Sequence, residues 1–447
     1  MSSSPDVALI QGLRESARPL SDDDPHDALI EAIGDARLVL LGEASHGMHD
    51  FYAERARLTQ RLIVEKGFHA VAVEADWPDA YRVNRFVRRL SEDRDADTAL
   101  SGFNRFPVWM WRNTDVLDFV RWLRSHDDSL PPGAPEVGFY GLDLYSLHAS
   151  IDEVLRYLGK LDPEAARLAR ERYRCFDDFG GNVEEYARSA ALGVVRSCED
   201  AVVKQLVELL QQRSARDAAG NGDAEEEWFQ AVQNARVVKG AEEYYRTMYR
   251  GNVESWNLRD GHMADTVEEL LRHLDRRVGR SKLVVWEHNS HLGDARATEL
   301  GQRGELNVGQ LMRERHGSDA FLLGFTTYTG EVTAASEWGG PAERKRVRRA
   351  LPGSYESLFH RLGIPRFELD LRHLGEAAGG LREPRLERAI GVLYLPASER
   401  GSHYFWALLP WQFDTVMHLD VTNAVEPLER MSLWDAGEPA ETYPYGL

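Results

Sequence analysis

The sequence predicts an α/β fold: a mostly parallel sheet flanked by helices, with an active-site cleft at the carboxyl ends of its strands. Two observations carry this. Short apolar runs recur without polar alternation, as strands buried on both faces require, and the segments between the early runs have helical periodicity. The runs occupy 38–41 (LVLL), 70–73 (AVAV), 137–142, 283–286, 321–325, 389–395 and 416–421. A third observation concerns function: several runs end in carboxylates and imidazoles.

The elements follow in chain order. Residues 50–67 place Phe51, Leu58 and Leu62 on one helical stripe and stop at Gly67. "NTDVLDFVRWLRSH" begins a helix with Thr114 as the expected N-cap. From about 150 to 275 the strand signal disappears and three long amphipathic helices follow, the last two separated by "SARDAAGNGDAE". This reads as a helical insertion within one domain spanning 1–447, either an extension of the helical layer or a lid. "EWGGPAERKRVRRALPGS" (337–354) reads as an exposed loop whose basic cluster is too short for a nucleic-acid patch.

Composition narrows the partners. A net charge of −19 over 447 residues leaves nothing to offset phosphate repulsion, which argues against nucleic acid and anionic membranes. Cys175 and Cys198 form no metal-type pair and are expected to be free thiols. No basic leader or long apolar run appears, so a cytoplasmic protein is expected.

The candidate chemistry sits at strand ends: Glu43 with Ser45 and His46, Glu74 with Asp76, Asp143, and His288 with His291. Ligands of open α/β sheets bind beyond those ends. One buried polar residue is commonly a satisfied structural group; a set on one rim is harder to explain that way. Arg55 falls on its helix's apolar stripe, so burial would require a carboxylate partner, Glu43 or Glu74. Asn84 shares a face with Ala80, Val83 and Val87. "LVLLGEASHG" and "LVVWEHNSHLG" echo one another, which is read as chance similarity of two strand ends rather than duplication.

Three chemistries compete. A serine elbow needs Gly-x-Ser-x-Gly, but here Gly42 stands one place too early before Ser45. A metal centre has candidate spacings in His46/His49 and His288/His291, but no His-Glu-x-x-His or Cys cluster; a divalent metal is compatible and not demanded. General-base hydrolysis needs only an imidazole, a carboxylate such as Glu74 to fix its tautomer, and a cation or donor for the oxyanion.

"GEASHG" with Arg55 behind it, "VAVEADW" followed by "RVN", "SWNLRDGHM" and "WEHNSHLG" together resemble the erythromycin esterase family, over most of the chain. The resemblance implies a hydrolase that opens a macrolide lactone through a water-activating histidine. It implies His46 as base, Glu43, Arg55 and Glu74 as its surround, and His288 and His291 as the family's paired histidines. No cofactor is expected, and the partner is a small-molecule ester or lactone. The alternatives are a metal-dependent hydrolase using the same His and Glu residues, and a non-catalytic binder on the same fold. "FNRFPVWMWRN" (103–113) and the helical insertion are expected to shape the pocket.

Overall fold

All four residues of strand β2 (Leu38–Leu41) are buried, because the sheet they enter is covered on both faces. A computed structural model describes residues 4–21, 23–179, 183–191, 197–211, 222–248, 251–430 and 434–435. Leu38 and Leu40 join one core, Val39 and Leu41 the other. The same split recurs in β3 (Ala70–Asp76) and β5 (Leu283–Trp286), so an uninterrupted apolar run serves two layers at once.

Against one face pack α1 (His49–Lys66), α2 (Trp77–Val87) and α3 (Thr114–Ser129). Against the other pack α4 (Leu147–Leu161), α5 (Gly222–Thr247) and α6 (Asn252–Val278). Helix α1 stops at Gly67, whose φ of 67° lies in the left-handed region that favours glycine and whose N–H caps the Leu62 carbonyl.

The remaining strands are β1 (Arg18–Pro19), β4 (Gly138–Asp143), β6 (Ala320–Ala334), β7 (Glu343–Val347), β8 (Arg366–Asp370), β9 (Arg385–Arg388), β10 (Tyr404–Ala407) and β11 (Thr415–Thr422). The main sheet runs β1-β8-β11-β6-β2-β5-β3-β4, with β7 alongside β6. From β11 to β4 every neighbour pair is parallel. Strands β1, β7 and β8 add antiparallel. Strand β5 inserts between β2 and β3, so the order reverses there and a crevice opens at the carboxyl edge.

Four expectations are corrected. Cys175 and Cys198 are joined in a disulfide, because the helical layer brings their Cα atoms to 6.0 Å, within reach of a bridge. The stretch 337–354 is not all loop: its basic "ERKRV" is strand β7, since pairing uses the backbone and charged side chains suit a sheet margin. The run 389–395 forms no strand but single bridges, Ser45 to Ile390 and Ala335 to Leu393; β9 precedes it and pairs with β10 in a separate sheet. The N-cap of α3 is Asn113, not Thr114: the Asn113 side chain accepts from the Val116 N–H and donates to the Trp109 and Met110 carbonyls. Among the described residues, no helix is long and apolar enough to cross a membrane.

His26 fastens helix α1 to the far side of the sheet. Its Nδ1 lies 2.6 Å from Glu368 Oε1 on β8 and its Nε2 lies 2.8 Å from Glu54 Oε2 on α1. Burial alone would lower its pKa, but the two carboxylates raise it from 6.5 to about 9. A raised folded-state pKa contributes stability fully present below the unfolded value and lost as pH climbs through the folded one. The melting temperature should therefore fall as pH rises from about 6.5 through about 9, a loss of about 3 kcal/mol. His26→Gln should flatten that slope in a thermal-denaturation series; an identical slope in the variant contradicts the assignment.

Candidate active site

After β2 the chain turns sharply through Gly42 to Gly47. The Thr333 N–H donates to the Gly47 carbonyl at 2.9 Å, and a Cβ on Gly47 would strike the Thr333 backbone. Glycine is therefore required by close approach. Ser45 is fully buried, its Oγ accepts from the Gly47 N–H at 3.3 Å, and it is absent from the cavity wall. It serves the turn.

That turn aims His46 into a cavity of about 860 Å³ and holds it from two sides. His46 Nδ1 lies 2.8 Å from Glu43 Oε1, and the Tyr52 hydroxyl donates to the His46 carbonyl at 2.9 Å. The orienting carboxylate is thus Glu43 rather than the expected Glu74, because the turn brings residues three apart face to face. Glu43 Oε2 lies 2.7 Å from Arg55 Nη2, with both side chains 1% exposed. The guanidinium sits 4.4 Å from the Tyr52 ring centroid and 5.0 Å from that of Trp286.

His288 follows β5, its ring centroid 5.0 Å from that of His46. Its Nδ1 accepts from the Ser290 N–H at 3.1 Å, which places the proton of the neutral ring on Nε2. Burial, and then the neighbouring His46, push its pKa down to about 3, so the ring is neutral. His288 Nε2 is buried beside the Ala44 backbone and makes no side-chain hydrogen bond among the described residues.

His291 is the opposite case. Burial works against its charge, but Asp260, 2.9 Å from Nδ1, and Glu74, 3.3 Å from Nε2, raise its pKa to about 10. Trp256 stacks on the ring at 4.6 Å. Glu74 accepts from the His288 N–H at 2.9 Å and from Arg259 at 2.8 Å. Against its own burial, His291 and His46 hold its pKa well below the carboxylate range. Arg259 also makes a two-pronged pair with Asp143, at 3.0 and 2.6 Å.

His46, Glu74, His288 and His291 thus line one cavity, with Glu43 and Arg55 behind His46. Asp76 and Asp143 share the wall. His49 does not join them: it is half exposed and pairs with Asp115 at 2.7 Å. Among the described residues, no group of three or more His, Cys, Asp or Glu is arranged to hold a metal ion. Asn84 is buried and accepts from the Phe139 N–H, a structural role.

Sequence reasoning missed Arg259 and Asp260 on α6. A signal existed: Trp256, Asp260 and Met263 fall on one helical face, so a charged residue shares a stripe with apolar ones. Arg105 was missed as well; it leaves the aromatic segment 103–113 to pair with Asp76 at 2.9 Å.

Comparisons with known proteins bear on the family and the fold. The model of the family described as erythromycin esterase matches residues 63–422. The chain is 21% identical over 388 residues to an erythromycin esterase type II of Escherichia coli, covering 79% of this chain and 86% of that one. It is 21% identical over 364 residues to a putative hydrolase of Bacillus subtilis (strain 168), covering 77% and 76%. Among solved structures, a succinoglycan biosynthesis protein superposes with a TM-score of 0.77 at 21% identity, over 95% of this chain and 100% of that one. An erythromycin esterase mutant in its open conformation superposes with a TM-score of 0.66 at 16% identity, over 93% and 99%. These structures share the fold.

Removing Arg55 would leave Glu43 buried without its cation. Arg55→Ala should cost about 3–5 kcal/mol of unfolding free energy. Arg55→Lys should recover only part, since a compact ammonium lacks the planar stack between two rings. An unchanged denaturation midpoint in Arg55→Ala contradicts the pairing.

Proposed function

The chain belongs to the erythromycin esterase family, and from that premise we propose that it hydrolyses a carboxylic ester or macrolide-type lactone with water activated by His46. Its relatives named as esterase and hydrolase support hydrolysis as the reaction class. The observation that carries the finer reading is the pairing of two differently prepared imidazoles, His46 and His288, on one cavity wall with ring centroids 5.0 Å apart.

The chemistry then follows from the tautomers. Glu43 accepts the His46 Nδ1 proton, leaving the Nε2 lone pair free. Nε2 takes a proton as a water oxygen bonds to the substrate carbonyl carbon. The carbonyl oxygen becomes an oxyanion at the wall that carries His288, with the positive charge of His291 on the same wall to stabilise it. When the tetrahedral centre collapses, the carbon–oxygen bond to the alcohol breaks. The departing alkoxide takes the proton from His46, giving acid and alcohol and restoring the neutral base. His291, pinned as a cation by Asp260 and Glu74, holds its positive charge close behind the reacting centre. Aromatic side chains over much of the cavity suit a large apolar substrate.

His46→Asn should keep the fold and lower kcat by a factor of about 10² to 10⁴, with substrate binding nearly intact. Ser45→Ala should be far milder, because Ser45 lies off the cavity wall. An acyl group trapped on Ser45 would transfer the reaction to a serine nucleophile. The readout is mass-spectrometric: macrolides and other lactones screened for addition of one water. Activity should survive exhaustive chelation. Loss with EDTA and recovery with one divalent metal would instead favour the metal-dependent alternative.

A further inference from the structure

The helical layer carries a bridge that the hydrolytic chemistry does not use. Cys175 lies on the 3-10 turn Arg174–Phe179 and Cys198 directly precedes the helix Glu199–Gln211; the two are joined across a separation of 23 residues. The ends differ in access: Cys175 is half-buried, whereas Cys198 is 2% exposed. Cys198 also caps its helix, since its carbonyl accepts from the Ala201 N–H at 3.0 Å and the Val202 N–H at 3.1 Å. A sulfur in that position leaves readily as a thiolate, because the positive end of the helix dipole favours the charge. Its acidic neighbour Glu199 is paired with Arg246 at 3.1 Å. The bridge thus has an accessible sulfur to attack and a stabilised one to leave.

What lies beside Cys198 leads to the cavity. Its N–H donates to the Tyr186 hydroxyl at 2.9 Å, and that hydroxyl donates to Glu242 Oε1 at 2.7 Å. Ser197 Oγ donates to the same oxygen at 2.8 Å. Glu242 belongs to α5 and is 1% exposed, so these bonds, with Arg246 at 3.3 Å, compensate its burial. The residues that follow it, Tyr244, Tyr245 and Met248, line the cavity. The Tyr244 hydroxyl lies 3.2 Å from that of Tyr145, whose ring carries the Arg259 guanidinium at 5.0 Å. A continuous set of contacts therefore joins the bridge to the cavity wall. The body of the Glu199–Gln211 helix is held separately: Arg172 meets Glu208 in two bonds of 2.6 Å, and the Trp228 indole donates to the Leu209 carbonyl at 3.0 Å. Opening the bridge frees the first turn of that helix without undocking the rest.

We propose that the Cys175–Cys198 disulfide is a redox switch on the cavity: a dithiol reductant opens it, releases Ser197 and Cys198 from Glu242, and loosens the wall that Tyr244 and Tyr245 form. One thiolate of the dithiol attacks Cys175 Sγ, the sulfur–sulfur bond breaks, and Cys198 leaves as a thiolate that takes up a proton. The second thiolate of the dithiol then attacks the reductant's own sulfur in the mixed disulfide, and Cys175 departs and is protonated. Two electrons and two protons pass to the protein, which gains two thiols, while the dithiol closes to a cyclic disulfide. As control over turnover, the switch rests on the cavity being the substrate site of the proposed hydrolase.

The test compares hydrogen exchange in the full chain, oxidised and after dithiothreitol, read by mass spectrometry. The bridge should open in native buffer without denaturant. Backbone amides of 242–247 should then exchange about tenfold faster, while those of β2 and β5 hold their rates. This arm needs no variant to fold. The double variant Cys175→Ser, Cys198→Ser should show the fast exchange with or without dithiothreitol. Glu242→Gln, which weakens the link between bridge and wall, should show it while still oxidised and respond little to reduction. In turnover, KM for a bulky ester should rise about threefold to tenfold on reduction with kcat nearly unchanged, because His46 and Glu43 sit on a turn anchored to the sheet. A bridge that opens only in denaturant overturns the proposal. So does exchange at 242–247 that ignores reduction, or one that rises equally across the sheet, which marks an ordinary structural brace. Failure of the hydrolytic reading looks different: exchange responds to reduction as expected while no ester is turned over in either state.

Discussion

Glu43 stands where water does not reach, and an isolated carboxylate there would cost several kcal/mol or take up a proton. It accepts the His46 ring proton on one oxygen and faces Arg55 with the other. Because Arg55 belongs to α1 and one of its flanking rings, Trp286, belongs to β5, the carboxylate is placed by packing between a helix and the sheet. The His46 ring is therefore fixed by the same contacts that hold α1 in place. Low dielectric strengthens each of these interactions once made and penalises any one left unmade.

Behind the first layer lies a second, built mainly by α6. Its Trp256, Arg259 and Asp260 meet Glu74, Asp143 and His291 from β3, β4 and the end of β5. Two histidines three residues apart thereby take opposite states. His288 meets no carboxylate with its ring and is held neutral by burial, while His291 lies between Asp260 and Glu74 and is held charged. A neutral ring and a fixed cation thus stand side by side on one wall, and the cation is the one suited to stabilising developing negative charge. Environment, not residue type, separates them.

The parallel strands β2 to β6 and β11 were legible in the sequence because burial on both faces leaves an uninterrupted apolar run, and the clustering followed from the rule for open parallel sheets. Arg55 was legible because a charge on an apolar stripe must find a partner. Arg259 was not, since it meets Glu74 across 185 residues of chain and only tertiary packing brings α6 to β3. The choice of Glu43 over Glu74 as the partner of His46 depended on a turn geometry that spacing does not determine. Strand β7 was hidden by its charged side chains, and the disulfide by a 3-10 turn and a bend ahead of a helix whose proximity no local pattern encodes. The echoing motifs proved unlike in chemistry: Glu43 is paired, whereas Glu287 is buried without a hydrogen-bond partner among the described residues, and burial raises its pKa well above the usual range.

The layout separates bond-making from selection. His46 and His288 sit on turns anchored to the sheet, whereas much of the opposing wall comes from the 103–113 segment, the β6–β7 turn and α5. Phe106 and Trp338 meet across that mouth with centroids 5.0 Å apart, although Trp338 is 71% exposed. A large ring left in water at a cavity rim gains most when an apolar ligand covers it. Neither ring is a member of the Glu43–Arg55 or the Asp260–His291 pair, so substitutions there can reshape the entrance while the buried pairs keep their partners. Selection can thus change on a scaffold whose hydrolytic geometry is held fixed by buried charge.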